Sequence, residues 1–128
     1  IETCLERGIR IVNVSYNISE AEADGPLATV CRKAYDLGVI VVAAYRNGMQ
    51  QPVYPAAYPV VIGVRHGREL TAGQVSIDCE ENFDLFAAGS STSSACAQVS
   101  AMVGRIHEIN DSIRLEEAFA FLKEVAIR

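Results

Sequence analysis

The chain has 128 residues, of which 50% are hydrophobic and 21% are charged. This composition suits one globular domain, or a large part of one, and excludes an intrinsically disordered chain. The formal net charge of -5 has the opposite sign to that of a nucleic-acid-binding surface. The longest apolar stretch, at 39–45, is too short to cross a bilayer. The sequence therefore predicts a globular protein with neither a nucleic-acid partner nor a membrane partner.

Strand-like and helix-like segments alternate along the first half of the chain. Residues 1–7 indicate the end of a helix, and the β-branched run at 9–14 is typical of a buried strand. Pro26 stands where a helix accepts proline, and apolar residues follow it at helical spacing until Gly38 ends the helix. Residues 39–44 then predict a second strand that is apolar throughout.

The second half continues the alternation with shorter strands. It begins with a proline-rich loop at 45–59, which is followed by predicted strands at 60–64, 74–77 and 83–86. A helix is then predicted to open in the run 90–97, and a last helix to be capped by Asp111 or Ser112. Strands without polar alternation, separated by helices, favour a parallel sheet that is covered by helices on both faces. Catalytic and binding sites in such sheets lie at the carboxyl ends of the strands.

A run of hydroxyl side chains at 90–94 opens the first helix of this second half. One interpretation is a capping run, because Ser and Thr oxygens accept hydrogen bonds from the free N–H groups of a first helical turn. The other is a nucleophilic serine, because the positive end of a helix and its unpaired N–H groups stabilise a developing oxyanion. A nucleophile also needs a base to take its proton. On spacing alone, both interpretations stay open.

Four segments, which occur in family order, resemble the sequence patterns of the subtilases, a family of serine peptidases. Residues 8–16 resemble G-x-x-V-I-N-M-S-L, 38–48 resemble G-V-x-V-V-A-A-A-G-N, 54–64 resemble Y-P-A-x-Y-P-x-V-I-x-V, and 91–101 resemble G-T-S-x-A-x-P-x-V-x-G. The matching positions in the last segment are Thr92, Ser93, Ala95 and Val99. The four segments together span most of the chain.

The resemblance implies an α/β fold of three layers, subtilisin-like but incomplete, in which a parallel sheet has helices on both faces. It makes residues 1–128 the C-terminal half of a single catalytic domain. It implies a serine endopeptidase in which Ser93 forms the acyl-enzyme and the Asn47 amide donates to the oxyanion. The residues that it assigns to substrate binding are Ser15, Tyr16, Asn17, Ala43, Ala44 and Thr92.

The catalytic Asp and His of the family precede all four matched segments. The expected partners are therefore a peptide or protein substrate and the upstream half of the same domain, which would supply both residues. The two histidines of this chain, His66 and His107, are interpreted as surface residues. The aspartates interpreted as solvated are Asp24, Asp36, Asp78 and Asp84.

The departures from the family patterns include Ala97, which replaces the proline of the helix, and two replaced glycines. Ser91 replaces the glycine before the Thr-Ser pair, and Arg46 replaces the glycine before Asn47, where its bulk could obstruct the oxyanion hole. No cofactor is expected. A bound calcium ion is considered only because calcium sites are common in the family that the chain resembles. The resemblance also predicts that the bond between Tyr54 and Pro55 is cis.

Two other classes of protein remain as alternatives. The first is a catalytically dead pseudopeptidase that keeps the fold and binds extended peptides. The second is an unrelated α/β binding module, which would need a phosphate-binding loop or an acidic cluster at a strand end. Neither G-x-G-x-x-G nor G-x-x-x-x-G-K-[ST] occurs in the sequence, so this alternative ranks last.

Overall fold

A computed structural model describes residues 1–19, 25–46 and 51–127 of the chain. Its strands are β1 (Ile11–Val14), β2 (Ile40–Ala44), β3 (Ile62–His66), β4 (Val75–Cys79) and β5 (Asp84–Ala87). Its helices are α1 (Glu2–Glu6), α2 (Pro26–Asp36), α3 (Thr92–Ile109) and α4 (Leu115–Val125). The strands form one sheet in the order β1-β2-β3-β5-β4, in which β4 alone is antiparallel to its neighbour.

The sheet separates two apolar cores. Alternate residues of β2 face opposite sides: Ile40, Val42 and Ala44 join the core beneath α3 and α4, whereas Val41 and Ala43 join the core beneath α2. Because both faces of the central strands are covered by helices and loops, these strands carry no polar alternation. The three-layer arrangement predicted from the sequence is therefore confirmed.

Helix α3 runs along the sheet in the direction opposite to β1. The thiol of Cys96, in the second turn of α3, approaches the Val14 and Val42 carbonyls at 3.8 and 3.5 Å. One turn later, the Ser100 hydroxyl donates to Asn13 Oδ1 at 2.7 Å. Since the chain of β1 runs from Asn13 to Val14, the first turn of α3 lies at the carboxyl ends of β1 and β2.

Most predicted elements are present, with boundaries that shift by one to three residues. The predicted cap of the last helix is wrong, because α4 has Arg114 rather than Asp111 or Ser112 as its N-terminal flanking residue. The Arg114 guanidinium donates to the Tyr35 carbonyl at 2.9 Å, at the end of α2. This long-range contact and the burial of Ile113 fix where α4 begins. The predicted cis bond between Tyr54 and Pro55 is confirmed.

Gly63 allows a close approach in the middle of the sheet. A Cβ atom there would lie 2.5 Å from Asp84 Oδ1, 2.5 Å from Tyr45 Cε2 and 2.7 Å from the Ala56 carbonyl oxygen. These groups belong to a neighbouring strand, to the end of another and to the loop that covers them, so none of them can move aside freely.

We expect Gly63→Ala to lower the free energy of unfolding by about 1–3 kcal/mol, the usual cost of overpacking a core. Gly104→Ala is the matched control, because a Cβ there meets nothing within 4 Å. In a helix interior that change should stabilise by roughly 0.5–1 kcal/mol. Urea denaturation of both variants measures the difference, and equal stabilities would contradict this account of Gly63.

Candidate functional site

Ser93 is the second residue of α3, and its side chain is exposed at the carboxyl edge of the sheet. The first turn of a helix leaves N–H groups without intrahelical acceptors, and the helix dipole makes this end positive. Within the described residues, the N–H and the hydroxyl of Ser93 have no hydrogen-bond partner. An exposed hydroxyl group and an open N–H donor therefore lie on one residue.

The capping role belongs to the neighbours of Ser93. Ser91 Oγ accepts from the Ser94 N–H at 3.2 Å, and Ser94 Oγ accepts from the Ser91 N–H at 3.0 Å. Gly89 makes room for this turn, because a Cβ there would lie 2.5 Å from Ser94 Oγ. The capping interpretation of the hydroxyl run therefore applies to Ser91 and Ser94, whereas Ser93 takes no part in the cap and is exposed.

Asn47, the predicted oxyanion donor, lies outside the described residues. The chain before it is described up to Arg46, and β2 ends at Ala44, at the same edge of the sheet as Ser93. Thr92 is the first residue of α3, and its side chain is buried.

The predicted substrate-binding residues after β1 lie next to the end of β2, because the two strands are parallel neighbours with Val14 opposite Ala43. Ser15 and Tyr16 are exposed. Asn17 is partly buried and donates from Nδ2 to the Ala44 carbonyl at 3.3 Å. The structure therefore brings both predicted sides of a cleft together at the carboxyl edge.

The segment that follows Asn17 is held by backbone hydrogen bonds. The Ile18 N–H donates to the Tyr54 carbonyl at 2.9 Å, and the Tyr54 N–H donates back at 2.8 Å. Ala43 and Ala44 have fully buried side chains on opposite faces of the sheet. Only their backbone could therefore contact a substrate in the cleft.

Arg46 joins the two sides of this cleft. Its Nε donates to Asn17 Oδ1 at 2.9 Å, while Asn17 itself donates to the Ala44 carbonyl. We call this pair the Arg46–Asn17 bridge. It directs the Arg46 side chain toward the loop after β1.

Neither histidine hydrogen-bonds to Ser93 within the described residues. His107 is fourteen residues further along α3, about 21 Å away at the helical rise per residue. His66 is the last residue of β3. Both are half-buried rather than fully exposed, and the buried Nε2 of His107 lacks a partner among the described residues. His107 is thus too far along α3 to act as the base of Ser93, and His66 makes no hydrogen bond to Ser93.

Asp84 was interpreted as solvated, and this is wrong. It is only 5% exposed, and its Oδ2 accepts from the Tyr45 hydroxyl at 2.8 Å. Its buried Oδ1 has no partner among the described residues. The Arg65 guanidinium lies 3.8 Å from the centre of the Tyr45 ring and donates to Asp78 Oδ2 at 3.0 Å.

Burial raises the pKa of Asp84 from its ordinary value of 3.8 to about 6, against the opposing effects of the Tyr45 hydroxyl and of Arg65. Burial, and then the charge of Asp84, likewise raise the pKa of Tyr45, which stays a hydrogen-bond donor. This cluster anchors the carboxyl end of β2 immediately before Arg46. Sequence reasoning missed it, although an Asp between Phe83 and Leu85 in an apolar strand is the signal that could have indicated it.

A second polar cluster holds α3 on β1. The Cys96 thiol is 3.2 Å from Asn13 Oδ1, which also accepts from Ser100, and Asn13 Nδ2 donates to Ser15 Oγ at 3.0 Å. Burial raises the pKa of the Cys96 thiol to about 12, so it stays a protonated donor. The cluster fixes α3 beside β1 and so positions Ser93, one turn before Cys96.

Calcium, which the resemblance allows, takes six to eight oxygen ligands, usually including several carboxylates. In the described ranges, no group of three or more His, Cys, Asp or Glu side chains could hold a metal ion. Asp84 is buried, but Tyr45 already occupies one of its oxygens. These side chains do not fit a calcium site.

Among the helices of the described residues, none has the length and apolarity that a bilayer span requires.

Comparison with solved structures assigns the fold. Sphericase aligns with a TM-score of 0.69 at 19% identity, over 96% of this chain and 51% of that chain. A psychrophilic protease, S41, aligns with a TM-score of 0.70 at 15% identity, over the same shares. A mutant of the protease domain of PatA aligns with a TM-score of 0.63 at 23% identity, over 93% of this chain and 51% of that chain.

These three structures are subtilisin-like proteases, so the chain has the subtilisin-like fold that its motifs predict. The chain spans about half the length of each of them. No protein-family model and no curated protein matches the sequence.

The raised pKa of Asp84 predicts how stability depends on pH. The folded state holds this proton more tightly than the unfolded state does, so the contribution is complete below pH 4 and is lost as pH rises through about 6. Relative to Asp84→Asn, the wild-type protein should lose up to about 3 kcal/mol between pH 4 and 7. Denaturant titrations at several pH values measure this difference.

Asp36→Asn is the matched control, because Asp36 is an exposed carboxylate at the end of α2. Its difference from the wild-type protein, measured at the same pH values, gives the background effect of replacing an exposed carboxylate. A pH-independent difference between wild type and Asp84→Asn would contradict the assignment of a raised pKa.

Proposed function

We propose that this chain is the nucleophile-bearing part of a subtilisin-like serine endopeptidase. The observation that supports this most directly is the state of Ser93. It is exposed in the first turn of α3, takes no part in capping, and lies at the carboxyl edge of a mostly parallel sheet. The resemblance of 91–101 to the nucleophile pattern selects the same serine.

The proposed reaction is acyl transfer from a peptide to water. Ser93 Oγ attacks the peptide carbonyl, and a histidine outside this chain takes its proton and passes it to the leaving amine. The Ser93 N–H and the Asn47 amide donate to the oxyanion. Water then hydrolyses the acyl-enzyme, with the same histidine acting as its base. Thr92 and the residues after β1 bind the substrate, as the resemblance implies.

The histidine and its aspartate are proposed to come from an upstream half of the same domain. The open side of β1 supports this, because β1 ends the sheet and pairs only with β2 within the described residues. A parallel sheet with an uncovered edge strand can accept a further strand there. Catalytic groups that follow such a strand would reach the carboxyl edge beside Ser93.

A serine-directed fluorophosphonate should add once to the full-length protein, and Ser93→Ala should abolish the adduct. The reason is that only a serine whose proton is taken by a base reacts readily. Intact-mass spectrometry measures the result. Ser90→Ala is the matched control, because Ser90 is an exposed serine three residues before Ser93. An adduct that persists on the Ser93→Ala protein would contradict the proposal. The absence of any adduct on the folded wild-type protein would also contradict it, and would favour a binding role.

Asn47→Ala should lower kcat by about 100- to 1000-fold, which is the effect of removing one oxyanion-hole donor in a subtilisin. KM should change little, because the donor acts mainly on the transition state. Steady-state kinetics on a fluorogenic peptide measure both constants, and an unchanged kcat would remove Asn47 from the mechanism.

Residues 1–128 alone should be nearly inert, because a nucleophile without its base retains little activity. Peptide hydrolysis by this segment at the rate of the full-length protein would show that the base lies within it.

A further inference from the structure

The Arg46–Asn17 bridge connects Asn17, which follows the end of β1, with Arg46, which follows the end of β2. It consists of the Arg46 Nε donation to Asn17 Oδ1 at 2.9 Å and the Asn17 Nδ2 donation to the Ala44 carbonyl at 3.3 Å. Both side chains are partly buried. Two neighbouring strand ends are thus tied by side chains as well as by the sheet.

The loop that carries Asn17 cannot easily swing away from this contact. The next residue, Ile18, exchanges two backbone hydrogen bonds with Tyr54. On the other side, Tyr45 precedes Arg46 and is held by its hydroxyl on Asp84. The bridge is therefore anchored at both of its ends.

The bridge also lies close to Ser93. Cys96, one turn after Ser93, approaches the carbonyls of both Val14 and Val42, so the first turn of α3 lies at the ends of the same two strands. A peptide whose carbonyl reaches Ser93 therefore passes the ends of these two strands, and the cleft that a neighbouring side chain would have to enter is the space beside Asn17 and Arg46.

The geometry points to the Arg46–Asn17 bridge as a size filter: it closes this cleft to large side chains, so that the protein selects peptides with a small residue, such as alanine, before the scissile bond. This inference rests on the proposed peptidase function. A large side chain enters only if the bridge opens, which sacrifices a hydrogen bond made by a charged group. That loss corresponds to about a 10- to 100-fold penalty.

The test compares two fluorogenic peptides that differ only in alanine or phenylalanine before the scissile bond, cleaved by the full-length protein. For the wild-type protein, kcat/KM should be higher for the alanine peptide. Arg46→Ala should raise the phenylalanine-to-alanine ratio of kcat/KM by about 10- to 100-fold, which is the penalty that the bridge imposes. Asn17→Ala opens the bridge from its other end and should shift the ratio in the same direction.

Arg105→Ala is the matched control, since it removes an exposed arginine twelve residues along α3 from Ser93, about 18 Å away. It should leave the ratio unchanged. An unchanged ratio in both bridge variants, with fluorophosphonate labelling of Ser93 intact, would overturn the size filter and leave the peptidase standing.

If Ser93 is not labelled, peptide binding is measured instead of cleavage. The dissociation constants of two product-length peptides, one ending in alanine and one in phenylalanine, are compared on Ser93→Ala protein with and without Arg46→Ala. A shift with Arg46→Ala would then support the filter in a peptide-binding protein while the peptidase proposal fails. No shift would overturn both.

Discussion

Strand β2 is buried on both of its faces, and the positions of the other elements depend on this. Its five residues, Ile40–Ala44, are at most 1% exposed, so each face needs its own apolar cover. Complete burial of a valine or isoleucine side chain stabilises by about 1.5–3 kcal/mol, and only packed helices and loops on both sides provide it. The parallel sheet and the three layers follow from that requirement.

The carboxyl end of β2 is where this apolar strand meets the polar groups of the candidate site. Tyr45 is held there by the buried Asp84 carboxyl, and Arg46 is held by Asn17. The strand is thus fixed immediately before Asn47, the residue proposed to hold the oxyanion. In the same way, the Asn13 cluster fixes α3 on β1, and so it sets the position of Ser93.

The buried Asp84 shows why the charged residues were harder to interpret from the sequence than the apolar ones. The pattern of hydrophobic residues predicts strands directly, because burial of these residues is the main driving force of folding. Whether a carboxylate is solvated depends on neighbours that are distant in sequence. Asp84 is buried because Tyr45 and Gly63, on two other strands or their ends, provide its hydrogen bond and its space.

By itself, the sequence determined the order and type of most elements and the subtilisin-like fold, because apolar periodicity and short motifs are local signals. Only the tertiary structure decided the antiparallel pairing of β4, the start of α4 at the Arg114 contact with α2, and the division of the serine run into capping residues and an exposed one. The Arg46–Asn17 bridge belongs to the same group. Each of these depends on groups from separate elements that meet only after the sheet has formed, and the spacing of residues along the chain carries no information about that meeting.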